Sequence, residues 1–149
     1  MATVEQYLDE AASELRTTES PPGSNRTEFA SEAGHANGQP WCATFLVAIA
    51  RRVGLALPSE SAYTPTMANA FRAAKRWVGT PLAGDIAFFD FPDAKRRIQH
   101  VGVVESSTAT TVTCIEGNTA SGWAGSQDNG GGVWRRTCLL YTSPSPRDS

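Results

Sequence analysis

The 149-residue chain predicts an α+β domain with N-terminal helices packed on an antiparallel β-sheet. Three observations predict it. Apolar residues recur at helical spacing only in the first half, four β-rich runs separated by turn-rich pieces fill the second, and the two kinds of element do not alternate as in a βαβ chain. With 40% hydrophobic and 9% aromatic residues the chain can bury one core, so a single domain is expected.

Val4, Leu8, Ala11 and Leu15 share a helical face, which predicts an amphipathic helix over about residues 3–16, stopped by "SPPGSN". Ser20 to Pro40 is rich in Gly, Ser, Asn and Pro without periodicity and reads as a surface loop leading to a site. Phe45, Leu46, Ile49, Ala50 and Val53 then mark a buried central helix, with Cys42 in its first turn and Gly54 as its stop. A shorter helix follows Thr64 and Pro65, with Met67, Ala70, Phe71 and Ala74 inward. The strands are "DIAFFDF", "HVGVVES", "TVTCIEG" and "GGVWRR".

The segment from Cys138, "CLLYTSPSPRDS", loses the strand pattern and resembles an in-frame translation of a sequencing-library adapter. The expected division is therefore a domain over residues 1–137 and a non-native, disordered tail over 138–149, the alternative being a native disordered terminus.

A formal charge of −2 gives no general attraction to nucleic acid or anionic membranes. The acidic N-terminal stretch holds neither a signal peptide nor a membrane span, which places the chain in the cytoplasm. Cys42, Cys114 and Cys138 lack CxxC or metal-ligand spacing, so neither a disulfide framework nor a zinc site is expected. The basic turn with Lys95, Arg96 and Arg97 reads as a solvated loop, with anionic polymers as its alternative partner.

A thiol in the first turn of a helix meets unpaired backbone N–H groups and the positive end of the helix dipole, conditions that favour thiolate and can hold an oxyanion. Cys42 can equally be a packed core thiol. A base comes from His100, which opens a strand in "QHVGVV", with His35 in the polar loop "EAGHANG" as its solvated competitor. Glu116 and Asn118 in "CIEGNT" offer the imidazole an acceptor on one face if the strand continues. Cys114 alternates onto the same face as an inert core residue.

In order, "QPWCATF", "AGDIAFFDF", "HVGVV" and "IEGNT" resemble the CHAP domain, the cysteine, histidine-dependent amidohydrolase/peptidase family, over about Val4 to Arg136. The resemblance implies a papain-like fold, Cys42 as nucleophile, His100 as general base and then acid, Glu116 as its orienter and Asn118 as a polar helper. Gln39 would add an oxyanion donor, at a spacing from the cysteine unlike papain's. Trp41 would line the cleft or pack.

It also implies a monomeric peptidoglycan hydrolase, either an N-acetylmuramoyl-L-alanine amidase or a peptide-stem or cross-bridge endopeptidase, needing no cofactor. The stretch before Cys42 lacks a DxDG calcium pattern, so no metal is expected. "ESPPGSNRTEF" resembles the same region of actinobacteriophage endolysins, which implies an enzyme held in the host cytoplasm until lysis. The other readings are a catalytically silent wall-binding or phage-tail-associated module and a toxin or remodelling enzyme of the same fold.

Overall fold

The computed structural model describes residues 3–74, 81–89, 100–120 and 130–139. Helix α1 (Val4–Ser13) starts at a capping box between Thr3 and Gln6, whose reciprocal bonds satisfy amides that a helix start leaves open. It buries Tyr7 and Ala11 but leaves Val4 52% exposed. The helix stops before Arg16, which turns left-handed at φ 78° and gives its N–H to Val133 O.

The expected loop over residues 20–40 contains one helical turn, α2 (Phe29–Ala33), which buries Phe29, Ala30 and Ala33. Its five residues are too few for a periodic signal, and Gly34 at φ 74° closes it.

Helix α3 (Cys42–Val53) is buried on every side from Cys42 to Ala50, the pattern of a helix enclosed by its neighbours. Gly54 at φ 76° ends it. On α3, Arg52 pairs with Glu10 and Glu14, beside α1, and with Glu32 of α2, so one guanidinium ties three segments together. Helix α4 (Thr64–Ala73) has Pro65 in its first turn and buries Met67 and Ala68. Phe71 packs on the core, and Ala74 is exposed, so the inner face is shorter than its spacing predicts.

Strands β1 (Ile86–Phe89), β2 (His100–Ser107), β3 (Thr111–Thr119) and β4 (Gly132–Leu139) form one antiparallel sheet in the order β1-β2-β3-β4. The α+β class is thus the observed one. Phe88, Val101, Val103, Ile115 and Val133 join α3 in the main core. Ala87, Val104, Val112 and Cys114 form a second cluster, with Phe89 and Cys138 packed on it.

The expected domain limit at Thr137 falls inside β4. Cys138 stands opposite Val112 and Leu139 opposite Thr111, because the ladder with β3 and the contact of Cys138 with the second cluster carry the strand on. Residues 140–149 and the basic turn Lys95, Arg96 and Arg97 lie outside the described residues. Among the described residues no helix is long and apolar enough to cross a membrane.

Candidate active site

Cys42 is the first residue of α3, with Trp41 in the capping position and no side-chain cap before it. The first turn of a helix leaves its N–H groups without intrahelical partners, and Cys42 lies in that turn. His100 is the first residue of β2, and Glu116 lies near the end of β3. The structure brings the three together: His100 Nε2 lies 2.7 Å from Glu116 Oε1, with both side chains fully buried, and Cys42 is close enough to the same imidazole to act on its charge. Of the three residues, only Cys42 keeps any exposure, at 3%.

Burial alone would lower the pKa of His100. The charge of Glu116, the hydrogen bond and charge of Cys42, and the hydrogen bond to Glu116 together outweigh it, and the pKa is pushed up to about 10. A pKa raised in this way favours the imidazolium, which donates from Nε2 to the carboxylate. Phe89, opposite His100 across the β1–β2 ladder, flanks it with ring centroids 5.8 Å apart.

Two glycines make this arrangement possible. A Cβ on Gly102 would lie 2.7 Å from Glu116 Cγ and 3.2 Å from Cys114 Cβ, so the carboxylate reaches His100 by passing over a bare stretch of β2. A Cβ on Gly117 would lie 2.7 Å from Phe45 Cβ and 3.0 Å from the Trp41 ring. The missing side chain lets β3 press against the first turn of α3, which brings the cysteine's helix beside the strand of Glu116.

Asn118 is fully buried. The strand does not run on evenly to reach it: the β3–β4 register shifts between Glu116 and Thr119, and Asn118 takes φ 56°. This bulge ends the simple alternation that would set Glu116 and Asn118 on one face. Cys114 does share a face with Glu116, since both approach Gly102. The three cysteines, all among the described residues, form no disulfide.

Gln39 is half-buried in the turn before α3. Trp41 is 2% exposed, stacked on Phe29 at 5.8 Å, so of its two expected roles the packing one fits and cleft lining does not.

His35 is also unlike its expectation of a solvated residue. Its Nε2 donates to Glu60 O at 2.6 Å and its Nδ1 meets Thr44 Oγ1 at 2.8 Å. A carbonyl can only accept, so in the neutral ring Nδ1 accepts from the Thr44 hydroxyl. The ring fastens the turn before Cys42 to α3 and to the chain around Glu60.

Sequence reasoning missed Glu19, whose carboxylate accepts from Trp41 Nε1 at 2.9 Å in a buried position. Nothing in "TTESPPG" distinguishes it from a surface acid. It also missed Gly102, which reads as an ordinary strand glycine until the path of Glu116 is known.

The family model for the CHAP domain matches residues 34–118, more than half of the chain and including Cys42, His100, Glu116 and Asn118. No curated protein matches the chain, and no solved structure does.

Proposed function

The chain belongs to the CHAP domain family, and from that premise we propose that it cleaves an amide bond of peptidoglycan through Cys42, His100, Glu116 and Asn118. The family implies a cysteine, histidine-dependent amidohydrolase or peptidase, with peptidoglycan as its general substrate. The finer reading is an N-acetylmuramoyl-L-alanine amidase or a stem or cross-bridge endopeptidase. The observation that carries it is the buried contact of one imidazole with both a carboxylate and the thiol at a helix start.

In this reading the Cys42 thiolate attacks the amide carbonyl carbon, and the carbonyl electron pair moves onto oxygen. N–H groups of the first α3 turn, that of Cys42 included, donate to the oxyanion, and Gln39 adds a side-chain donor. As the tetrahedral species collapses, the amine leaves with the proton of the His100 imidazolium and a thioester remains. The now neutral imidazole takes a proton from water as the water oxygen attacks the thioester. The second collapse restores the thiolate beside the imidazolium and releases the new carboxyl product. Glu116 holds the ring and its charge through both halves.

The resemblance of residues 19–29 to actinobacteriophage endolysins supports a lytic role, with the enzyme kept in the host cytoplasm until the membrane is breached. The test is mass spectrometry of purified peptidoglycan digested by the protein, with Cys42→Ser as control. A new L-alanine N-terminus with freed muramic acid identifies an amidase, and a new terminus inside the stem or bridge an endopeptidase. Intact glycan and peptide after exhaustive incubation would replace this reading with a silent wall-binding module.

A further inference from the structure

The geometry points to Glu19 as a positioning residue for Cys42, acting through the Trp41 indole. Glu19 is only 6% exposed and forms no ion pair among the described residues. A buried carboxylate held by one neutral donor is a costly arrangement, and that donor belongs to the residue next to the nucleophile.

The carboxylate is itself firmly placed. Arg16 N–H donates to Val133 O and Val133 N–H to Thr17 O, Thr18 bridges Gly132, and Glu19 N–H donates to Gly131 O at 2.9 Å. Residues 16–19 therefore lie along the start of β4 as a strap. Gly131, at φ 85°, leaves room for the acid, since a Cβ there would come within 3.3 Å of Glu19 Oε1.

On its other sides Trp41 stacks on Phe29 and abuts Gly117, between Glu116 and Asn118. Packing fixes the plane of the indole, and the Glu19 bond fixes where its N–H points. The indole is thus a spacer between the strap, the β3 bulge and the first turn of α3. His100 stands on β2, so any turn of Trp41 moves the Cys42 sulfur relative to its imidazole. A displacement of about 1 Å in reacting groups is enough to lower a rate on the order of a hundredfold.

The inference rests on the thiol–imidazole reading of the site, and two readouts separate it from the identity of the substrate. Glu19→Met keeps the volume and removes the acceptor, and Glu19→Gln keeps an acceptor oxygen for the indole N–H. Peptidoglycan digestion gives kcat and KM, and the pH dependence of Cys42 alkylation by iodoacetamide, in a Cys138→Ser background, reports the thiol–imidazole contact without substrate.

Glu19→Met should lower kcat about ten- to a hundredfold with KM changed less than about threefold, and flatten the alkylation profile. Glu19→Gln should restore both. Trp41→Phe, which removes the donor, should match Glu19→Met, and the double variant should be no worse than either alone. A Glu19→Met protein with lowered melting temperature but unchanged kcat and alkylation profile overturns the inference, as does a Glu19→Gln protein as impaired as Glu19→Met. If peptidoglycan is untouched by every form while the alkylation profile still separates Met from Gln, the substrate reading fails and the positioning role stands.

Discussion

Replacing Glu116 by Gln changes the charge of the buried site while nearly preserving its shape. The carboxamide oxygen introduced by Glu116→Gln can still accept from His100 Nε2 across the present 2.7 Å, so the ring keeps its tether. Unit charges about 4 Å apart at an effective dielectric near 20 attract by about 4 kcal/mol, which corresponds to about three pKa units. Removing that attraction brings the His100 pKa from about 10 to about 7.

The alkaline limb of kcat/KM, which reports the coupled thiol–imidazole pair, should then move down by about three pH units. At pH 8 about nine-tenths of the variant would lack the imidazolium proton that the leaving amine needs, and what activity remains should fall further as charge stabilisation is lost. Asn118→Ala should cost less and leave the limb in place.

Stability carries the same sign. A histidine whose folded pKa is raised stabilises the fold fully below its unfolded value near 6.5 and loses that contribution as pH rises toward 10. The wild-type melting temperature should therefore decline across that window, and in Glu116→Gln the dependence should fade by about pH 7 to 8. The assays are turbidity loss of purified cell walls and thermal denaturation, each against pH. An unchanged alkaline limb in a folded Glu116→Gln enzyme, beside a crippled Asn118→Ala enzyme, would show that the asparagine orients the ring.

Three further expectations follow from the same geometry. Gly102→Ala puts a methyl 2.7 Å from Glu116 Cγ; overpacking of this kind costs about 1–3 kcal/mol, and the displaced carboxylate should lower kcat at least about tenfold with a limb shifted toward that of Glu116→Gln, so a wild-type pH profile would refute the crossing role of Gly102. Cys42→Ser should fold and lose wall digestion, because an alkoxide is not available at neutral pH as a thiolate is, whereas Cys114→Ala, a small truncation in the second cluster, should stay active and lose about 1 kcal/mol by denaturant titration. Activity should survive EDTA, since side chains of His35 and Asn37 fasten the turn before Cys42, and a loss restored by calcium would overturn this.

The central helix and the four strands were legible because each follows from short-range signals, and the candidates Cys42, His100 and Glu116 were legible because such signals joined a resemblance to the CHAP family. A polar turn meets an apolar run at Cys42, period-two patterns mark the strands, and a histidine and a carboxylate sit at strand ends. What was not legible depends on contacts between distant segments. The Phe29–Ala33 turn is helical because Phe29 meets Trp41 and Phe45, and its five residues alone carry no period. His35 looked solvated because Thr44 and Glu60 reach it only after the chain has folded back. Glu19 joined the site through an indole in another segment. The continuation of β4 past Thr137 has the same origin, since Cys138 stands opposite Val112 across the ladder.

The choice of a carboxylate as the third member has a consequence beyond holding the ring. An imidazole taken out of water with only a neutral amide for company tends to lose its proton, because burial penalises the charged form. His100 is fully buried, yet its pKa lies above the free value, and the sign is reversed chiefly by the Glu116 charge. Glu116 reaches the ring by crossing Gly102, where a Cβ would lie 2.7 Å from its Cγ. A glycine in the neighbouring strand thus lets the carboxylate reach the ring. That carboxylate decides whether His100 enters the reaction as a proton donor or must first collect a proton from the thiol.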